Sequence, residues 1–254
     1  MKYAILGAGQ VALRHVYAFS KIKNCKLEGF IEKDIKKSKF FEKNFNAKKY
    51  KNLDELIKQK LDFVIICLPH NQRIVPIIKC IKSNINLLIE KPLCINIKEL
   101  RYLIPYLKNN KNKISISFVH RFRKELTKTK DILINKDIGN IKLMIENMHS
   151  YKNPLLPKWI NIKKYSGGGV LMYNSIHSID KLIYLANSMV KSVTAINKNI
   201  NKKINVEDNI LIQLKFRNGI IAPLNSTFTP YKQQNSGMGE IGELNIHYDE
   251  NIGK

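Results

Sequence analysis

The first half of the chain alternates short apolar runs with segments of helical spacing. The apolar runs have the length of buried strands and cover residues 2–6, 27–31, 62–68, 86–89 and 114–118. Helical spacing fills the intervals between them, at residues 13–19, 35–44, 53–59, 74–83 and 97–107. A β-α-β-α-β alternation of this kind is typical of a parallel, doubly wound sheet.

The second half has longer runs in which polar and apolar residues alternate. These runs cover residues 141–148, 190–197, 210–216, 220–228 and 243–247. Alternation predicts a mostly antiparallel sheet with one solvated face, and Arg217-Asn218-Gly219 is a hairpin turn. Helices ending near Asn135 and covering residues 170–185 complete this half. We therefore predict an α/β protein: a Rossmann doubly wound parallel sheet at residues 1–118, and a C-terminal α/β domain with a mostly antiparallel open sheet at residues 119–254.

The first strand runs directly into Gly7-Ala8-Gly9-Gln10-Val11-Ala12, at the start of a helical segment. This is the G-x-G-x-x-A form of the dinucleotide fingerprint in its strand–turn–helix context. Gly7 permits the tight turn, and Gly9 lets a pyrophosphate approach the backbone at the helix N-terminus. The small Ala12 lets helix and strand pack closely. The spacing predicts a dinucleotide site.

Glu32 directly follows the second apolar run, about 20 positions after Ala12. In the dinucleotide fold, an acid at this place accepts hydrogen bonds from the adenosine ribose and repels a 2′-phosphate, which favours NAD over NADP. Lys33, Lys36 and Lys37 are close enough to weaken that preference, so NADP stays open. The alternative is a solvated charge at a strand end.

The apolar run that ends at Ile89 stops abruptly at Glu90-Lys91-Pro92. In an open α/β sheet, ligands bind at the carboxyl ends of the strands, and a proline restricts the residue before it. We therefore interpret Lys91 as a side chain delivered to the reacting atoms. The alternative is that Glu90 and Lys91 are solvated loop charges.

Tyr173 and His177 are four residues apart in the helix that follows Gly167-Gly168-Gly169. That spacing predicts one shared helix face. Histidine is suited to taking a proton from an alcohol near neutral pH, and Lys91 can polarise the substrate oxygen and help relay the proton. A structural histidine is the alternative. The glycines favour a functional one because they let substrate or backbone come close.

Composition narrows the class of protein. The chain has 254 residues, 44% of them hydrophobic, which is enough for one large domain or two small ones. No run is long enough to span a bilayer, and the start at Met1 has no signal-peptide pattern, which predicts a cytoplasmic protein. The cysteines lack C-x-x-C spacing and a neighbouring histidine pair, so we predict reduced structural thiols and no metal; they are Cys25, Cys67, Cys80 and Cys94.

The net charge of +24 comes from lysines spread over nearly every polar stretch, among many asparagines and isoleucines, residues with AT-rich codons. No recognition helix, zinc finger or aromatic RNA-binding signature accompanies the charge. We therefore predict no nucleic-acid partner and no membrane partner. The basic field suits an anionic small substrate better, with Arg121, Arg123 and Lys158 as candidates near a phosphate group.

Further segments follow these motifs in a fixed order. They are GAGQVALRH, the acid within residues 30–34, the turn at residues 67–71, Glu90-Lys91-Pro92, the segment 118–122, Trp159, the triple-glycine helix with His177, and the segments 206–208 and 216–219. Together they resemble the Gfo/Idh/MocA oxidoreductases, NAD(P)-dependent dehydrogenases and reductases of sugars, inositols and nucleotide sugars. The resemblance runs from Met1 to near Ile246. Its most specific part is E-K-P combined with the glycine–histidine helix.

The resemblance implies a Rossmann domain for the cofactor and a C-terminal domain whose open sheet serves oligomerisation as a dimer or tetramer. It implies that Lys91 and His177 flank the nicotinamide and the reacting carbon, with His177 as general acid/base and Tyr173 beside it. Hydride then moves between substrate carbon and nicotinamide. The implied cofactor contacts are Gly7, Gly9, Gln10, Val11, Glu32, Leu68, Pro69, Asn71, Glu90 and Lys91. The implied substrate contacts are Lys91, Arg121, Trp159, Tyr173, Asn174 and His177.

Three positions depart from the family pattern. Tyr173 stands one turn before the histidine, where the family often has Asp; tyrosine can still hydrogen-bond a sugar or relay a proton, but the carboxylate is lost. Arg73 stands where the family has a histidine after the P-x-x turn. The sequence ends at Lys254, where family members usually continue with further strand and a helix. We expect either a compact variant or a missing C-terminus that leaves a sheet edge unpaired.

The leading hypothesis is an NAD-dependent enzyme that oxidises an alcohol or reduces a ketone on a sugar, cyclitol or nucleotide sugar. The alternative is a non-catalytic NAD-binding sensor or regulator on the same fold, which Tyr173 and the short C-terminus suit. The presence of both Lys91 and His177 argues against that alternative. A nucleic-acid binder is the least favoured class.

Overall fold

A computed structural model describes residues 1–150, 152, 156–201, 203–228, 234–239 and 243–247, the last two ranges as strand backbone alone. The chain divides into two units, Met1–Ser117 and Phe118–Lys254. Within these described residues, each unit contains one six-stranded sheet, and each buried apolar cluster lies within a single unit.

The N-terminal unit is a parallel sheet whose strands are connected through helices. Its strands are β1 (Lys2–Leu6), β2 (Lys26–Ile31), β3 (Lys48–Lys49), β4 (Phe63–Ile66), β5 (Asn86–Ile89) and β6 (Ile114–Ile116). Its helices are α1 (Gln10–Ser20), α2 (Ile35–Phe45), α3 (Leu53–Ile57), α4 (Ile74–Lys82) and α5 (Ile97–Lys108). The strand order is β3-β2-β1-β4-β5-β6 with every pair parallel, which is the Rossmann order with its reversal between β1 and β4. The predicted fold class is confirmed for this unit.

Two apolar layers enclose the parallel sheet. In β1, Ala4 and Leu6 belong to one core, and Tyr3 and Ile5 belong to the other. Successive residues of a strand point to opposite faces, so a strand buried on both faces is apolar throughout. This is why the central strands appear in the sequence as continuous apolar runs.

The C-terminal unit packs helices against a mixed sheet. Its strands are β7 (Ile141–Ser150), β8 (Val190–Lys198), β9 (Asn209–Phe216), β10 (Ile221–Phe228), β11 (Gln234–Gly239) and β12 (Glu243–His247). Its helices are α6 (Lys124–Asn135), α7 (Lys163–Ser166) and α8 (Ile176–Ala186), with 3₁₀ turns at Val119–Phe122 and Lys158–Asn161 and a π-helical turn at Leu171–Ser175. The strand order is β12-β11-β7-β10-β9-β8, in which β7 and β10 are parallel and the other pairs antiparallel.

One face of this mixed sheet carries the core and the other face is open. In β9, Ile210, Ile212 and Leu214 are buried with Leu182 of α8, whereas Leu211 is 52% exposed. The predicted open, mostly antiparallel sheet is therefore confirmed. No helix in the described part of the chain is long and apolar enough to cross a membrane.

The structure corrects the sequence-based element boundaries in two respects. Strands β3 and β11 were not predicted, because two lysines and the sequence QNSGMG carry no apolar alternation. The helix predicted over residues 170–185 begins instead with the π-helical turn, and regular α-helix starts at Ile176. Hydrophobic spacing cannot separate these two helical forms over one turn.

Candidate functional site

Three neighbouring strands of the N-terminal unit end at one edge of the sheet. β1 ends at the glycine turn, β4 at the turn containing Pro69, and β5 at Glu90-Lys91-Pro92. The strands are parallel neighbours in the order β4 between β1 and β5, so their carboxyl ends lie side by side. This edge brings together most of the predicted cofactor residues, and Glu32 joins them from the end of β2, the other neighbour of β1.

The two glycines of the turn after β1 have different surroundings: Gly7 is packed against protein backbone and Gly9 borders open space. Gly7 has a φ of +90°, and a Cβ added there would lie 2.9 Å from the Cys67 carbonyl oxygen, so the segment after β4 excludes a side chain at this position. A Cβ added at Gly9 would meet nothing within 4 Å. Packing does not require glycine at position 9, and the free space there fits a ligand that lies against the backbone.

The amino end of α1 has no side-chain cap. Gly9 is its N-cap residue, and the first turn contains no acid. Helices α2 and α3, by contrast, begin on Asp34 and Asn52, whose side chains accept backbone N–H hydrogen bonds. Gln10 and Val11, the first residues of α1, are exposed. Uncapped amides at the positive end of a helix dipole bind anions, so this end fits a pyrophosphate.

Glu32 is half-buried and holds the glycine turn to the end of β2. Its Oε2 accepts the Ala8 N–H at 2.8 Å, and its Oε1 accepts the N–H groups of Lys33 and Asp34 at 2.7 and 2.9 Å. A carboxylate has about four acceptor positions, so hydroxyl donors still have room to bind. These backbone contacts fix the acid next to the turn.

The turn after β4 contributes a buried acceptor. Pro69 precedes the 3₁₀ turn His70–Gln72, in which His70 is buried. Within the described residues, the buried Asn71 Oδ1 has no hydrogen-bond partner. A buried polar atom without a partner is costly, so this atom fits a donor from a bound molecule. With the uncapped end of α1 and the space at Gly9, these residues fit a dinucleotide.

Glu90 is buried and tied to two other elements. Its Oε1 lies 2.8 Å from Nε2 of His15 on α1, and it accepts a hydrogen bond from Ser117. Burial alone raises the pKa of Glu90, but the His15 and Ser117 hydrogen bonds and the charges of His15 and Lys91 outweigh burial, and the net pKa is lowered. Glu90 is thus an enclosed anion that fixes the turn to α1.

Lys91 is half-buried in the turn after β5, and the Lys91–Pro92 peptide bond is cis. Burial lowers the pKa of the Lys91 ammonium to about 8; the Glu90 carboxylate opposes this change and the Arg73 guanidinium adds to it. A lysine with a pKa in this range exchanges its proton near neutral pH, as a proton relay requires.

Arg73 belongs to the same edge, although the sequence analysis gave it no role. Its side chain is 3% exposed. Its Nε donates to the Leu68 carbonyl at 2.8 Å, and its Nη1 donates to the carbonyls of both Glu90 and Pro92. The signal in the sequence was the departure from the family's histidine at this position.

Glu207 lies against the second and third glycines of the C-terminal unit, Gly168 and Gly169. A Cβ on Gly169 would lie 1.8 Å from the Glu207 carbonyl oxygen, and one on Gly168 would lie 3.1 Å from Glu207 Oε1. The Glu207 Oε1 also accepts the N–H groups of Gly169 and Leu171 at 2.7 and 3.2 Å. Of the two partners that the sequence left open, substrate or backbone, Gly169 accommodates backbone.

Tyr173 and His177 have different surroundings. Tyr173 lies in the π-helical turn, with its ring centroid 6.3 Å from that of Phe228. His177 lies in α8 and stacks on His120, with 4.2 Å between ring centroids and 14° between planes, while Phe118 meets it edge-on at 6.2 Å. A π-helical turn changes the number of residues per turn, so a spacing of four does not by itself place both side chains on one face. Sequence reasoning did not single out His120.

Arg121 makes its polar contacts within the C-terminal unit. Its Nε and Nη2 donate to the two carboxylate oxygens of Asp180 at 2.7 and 2.5 Å, and these hydrogen bonds raise the pKa of Arg121. Its guanidinium also lies over the rings of Phe118 and Tyr184. Arg121 thus anchors the 3₁₀ turn that carries His120 to α8.

A buried ion pair fixes the other side of α8. Lys181 Nζ lies 2.6 Å from Glu146 Oε2 on β7, and Ser178 Oγ donates to Glu146 Oε1 at 2.7 Å. Burial lowers the pKa of Lys181 and raises that of Glu146, and their contact compensates both. The remaining predicted substrate residues, Trp159 and Asn174, are half-buried in the 3₁₀ turn at Lys158–Asn161 and in the π-helical turn.

The strand order and the ligand-accepting edge define the N-terminal unit as a dinucleotide-binding Rossmann domain. A family model described as "Oxidoreductase family, NAD-binding Rossmann fold" matches residues 1–118, and one described as "GFO/IDH/MocA C-terminal domain" matches residues 126–248. The chain belongs to the Gfo/Idh/MocA family of oxidoreductases, and the family predicted from the sequence motifs is confirmed.

Individual relatives match most of this chain. Glucose-6-phosphate 3-dehydrogenase of Bacillus subtilis (strain 168) is 30% identical over 220 residues, which are 83% of this chain and 61% of that protein. Myo-inositol 2-dehydrogenase of Thermotoga maritima is 24% identical over 234 residues, 89% of this chain and 68% of that protein. The chain therefore spans between 61% and 68% of the length of these two relatives.

A solved structure supports the fold. The WlbA dehydrogenase from Bordetella pertussis, in complex with NADH and UDP-GlcNAcA, aligns with a TM-score of 0.89 at 18% identity, over 97% of this chain and 73% of that chain. At this identity the likeness concerns the fold alone. The α/β architecture of both units agrees with it.

Proposed function

We propose that this protein is an NAD-dependent oxidoreductase that transfers a hydride between the nicotinamide and a hydroxyl-bearing carbon of a sugar, cyclitol or nucleotide sugar. The observation that carries the proposal is the edge where β1, β4 and β5 end in an open glycine turn, a buried acceptor and a lysine of lowered pKa. The relatives named for glucose 6-phosphate and myo-inositol support the substrate class.

The cofactor contacts follow from this edge. The pyrophosphate binds at Gly7, Gly9, Gln10 and Val11. The adenosine ribose binds Glu32, and an acid at this position favours NAD over NADP. The nicotinamide half of the cofactor binds at Leu68, Pro69, Asn71, Glu90 and Lys91. When bound, NAD supplies the hydride acceptor for oxidation or the hydride donor for reduction.

Three side chains handle the substrate hydroxyl. Lys91 donates a hydrogen bond to the oxygen and, with a pKa of about 8, helps relay the one hydroxyl proton, whose final acceptor is His177. His177 acts as the general base that takes the hydroxyl proton in oxidation and returns it in reduction. Tyr173 hydrogen-bonds a neighbouring hydroxyl.

A phosphate-bearing substrate suits the net charge of +24. Because Arg121 is held by Asp180, the exposed Arg123 and Lys158 are the better candidates for a phosphate group, and Trp159 and Asn174 complete the proposed substrate contacts.

We further propose a cytoplasmic homo-oligomer, a dimer or tetramer, without nucleic-acid or membrane partners. The open face of the C-terminal sheet supports the oligomer: Ile196 and Leu211 face each other across β8 and β9 and are 68% and 52% exposed. Apolar residues exposed on a sheet face suit contact with a second copy. Light scattering after size exclusion tests this, and a monomer at micromolar concentration contradicts it.

Turnover and cofactor binding test the function separately. Fluorescence titration with NADH and with NADPH is expected to give saturable binding that is tighter for NADH. A screen of polyols, sugar phosphates and nucleotide sugars is expected to give turnover that Lys91→Ala lowers by about 100-fold or more, while NADH binding stays within a few-fold.

Three outcomes contradict the proposal. A folded protein that binds neither nucleotide is not a dehydrogenase of this kind. Binding without turnover of any substrate indicates a sensor. Turnover unaffected by Lys91→Ala removes the proposed role of that lysine.

A further inference from the structure

Arg73 holds the backbone on both sides of Lys91. One nitrogen, Nη1, donates to the carbonyl of Glu90, the residue before Lys91, and to the carbonyl of Pro92, the residue after it. Nε donates to the carbonyl of Leu68, beyond the end of β4, at 2.8 Å. A guanidinium is planar and rigid and carries five N–H donors. A single buried side chain therefore joins two strand ends and fixes the position of the lysine.

Arg73 also places a positive charge at this edge. Burial lowers its pKa to about 10, so it stays protonated at neutral pH. Its carbonyl contacts satisfy N–H donors without neutralising the charge. A like charge near an ammonium disfavours the protonated form of that ammonium. A neutral residue in its place has no such effect.

Lys91 therefore experiences two opposed charges. The Glu90 carboxylate favours its ammonium form, and the Arg73 guanidinium disfavours it. Cys67 is neutral because burial raises the pKa of its thiol. Among the described residues, the groups that interact with Glu90 or Arg73 include Cys67, Ser117 and, on α1, His15.

We propose that Arg73 is a positioning residue that prepares Lys91 for proton transfer, by clamping the carbonyls on both sides of the lysine and by setting a buried positive charge against its ammonium. Neutral Lys91 then becomes available at a lower pH than in a protein with an uncharged residue at position 73. The family pattern has a histidine here, so the Arg73 charge is a departure from that pattern. The inference rests on the proposed function for the use of Lys91, while its clamp and its charge stand on the geometry.

Competitive labelling measures the proton affinity of Lys91 without any turnover. The folded protein is treated with trace acetic anhydride at a series of pH values, and acetylation of the Lys91 peptide is quantified by mass spectrometry. Only the neutral amine reacts, so the midpoint of labelling reports the pKa. The wild-type midpoint is expected at about 8.

Two kinds of variant distinguish the effect of the Arg73 charge on Lys91 from the effect of the Arg73 hydrogen bonds. Arg73→His and Arg73→Gln remove the charge and are expected to raise the midpoint by roughly 0.5–1 pH unit. Arg73→Lys keeps a charge but loses the planar fork, and is expected to stay near the wild-type midpoint while losing order in the turn. Arg101→Gln, at an exposed position of α5, removes a charge that is not among those acting on Lys91 and is expected to change nothing.

The results distinguish an electrostatic role of Arg73 from a purely structural one. A midpoint that does not move in either folded neutral variant overturns the electrostatic role. An equal shift in Arg73→Lys and Arg73→His also overturns it, because loss of the hydrogen bonds alone then explains the change. In a turnover assay, the pH profile of Arg73→His is expected to move to higher pH by the same amount as the labelling midpoint. A shifted midpoint in a protein that does not bind NADH supports the inference on Arg73 while removing the proposed function.

Discussion

The two glycine-rich turns of this protein use the same residue for opposite reasons. At Gly9, in the N-terminal unit, an added Cβ would meet nothing within 4 Å. At Gly169, in the C-terminal unit, it would lie 1.8 Å from the Glu207 carbonyl oxygen. The first glycine borders open space, in which we propose that a ligand binds, and the second is required by the fold. A glycine pattern in a sequence thus predicts a close approach to the backbone, but it does not say what approaches.

The same contrast extends to the candidate site residues of each unit. The N-terminal edge is formed by strand ends whose place follows from the parallel order of β1, β4 and β5. In the C-terminal unit, the rings around His177 come from one distant segment, which carries Phe118 and His120. The edge of strand ends is thus a property of the sheet, whereas the surroundings of His177 depend on individual side chains.

The largest expected effect is on stability, from Gly169→Ala. Because the new methyl group would collide with the Glu207 backbone, we expect the C-terminal unit to lose about 3 kcal/mol or more in free energy of unfolding. Trp159, the single tryptophan of the chain, lies in this unit and reports its unfolding in urea. Gly9→Ala is the matched control, and little change is expected when its unfolding is followed by far-UV circular dichroism, which reports both units. If Gly169→Ala and Gly9→Ala had equal free energies of unfolding, the proposed difference between the two glycines would be wrong.

A smaller effect, on binding rather than folding, is expected from Gly9→Val. The side chain would occupy the space in front of the α1 N-terminus, so NADH affinity should fall by about 100-fold, equivalent to about 2.7 kcal/mol. The urea midpoint followed by far-UV circular dichroism, which reports the secondary structure of both units, should stay at the wild-type value. NADH titration checks the first statement, and unchanged affinity would mean that the open space is not the dinucleotide site.

The smallest effect of the three concerns the cap on the glycine–histidine helix. Glu207→Ala removes the acceptor for the N–H groups of Gly169 and Leu171, and the C-terminal unit should lose about 1–2 kcal/mol. Glu207→Gln keeps a carbonyl acceptor and should lose less than half of that amount. Urea unfolding followed through Trp159 measures both, and equal losses in the two variants would show that the hydrogen bonds are not what stabilises the helix.

Sequence reasoning reached the ligand edge because its motifs are contiguous. Gly7, Glu32 and Lys91 each sit at the end of an apolar run, and parallel topology brings such ends together. The chemistry of each motif was therefore readable before its partners were known. The specific roles of these residues stay a prediction for the experiments above.

The contacts that sequence reasoning missed join residues far apart in the chain. Glu207 caps a segment 38 residues earlier, and Arg121 pairs with Asp180 across 59 residues. A glutamate or an arginine is common at any surface, so nothing local distinguishes these. Arg73 was visible only as an unusual residue in a family motif, and its three carbonyl partners lie on two different turns.

The parallel pairing of β7 with β10 has a consequence for how the protein folds during synthesis. β7 lies between β11 and β10 in the sheet. Both partner strands follow it in the chain by about seventy residues or more. Pairing over such a separation is slow because a long stretch of chain must close into a loop first. The strands of the Rossmann unit find their neighbours within shorter stretches of chain. We therefore expect the N-terminal unit to fold on the ribosome first. At that stage both edges of β7 are unpaired, because the residues of its partner strands have not yet been translated.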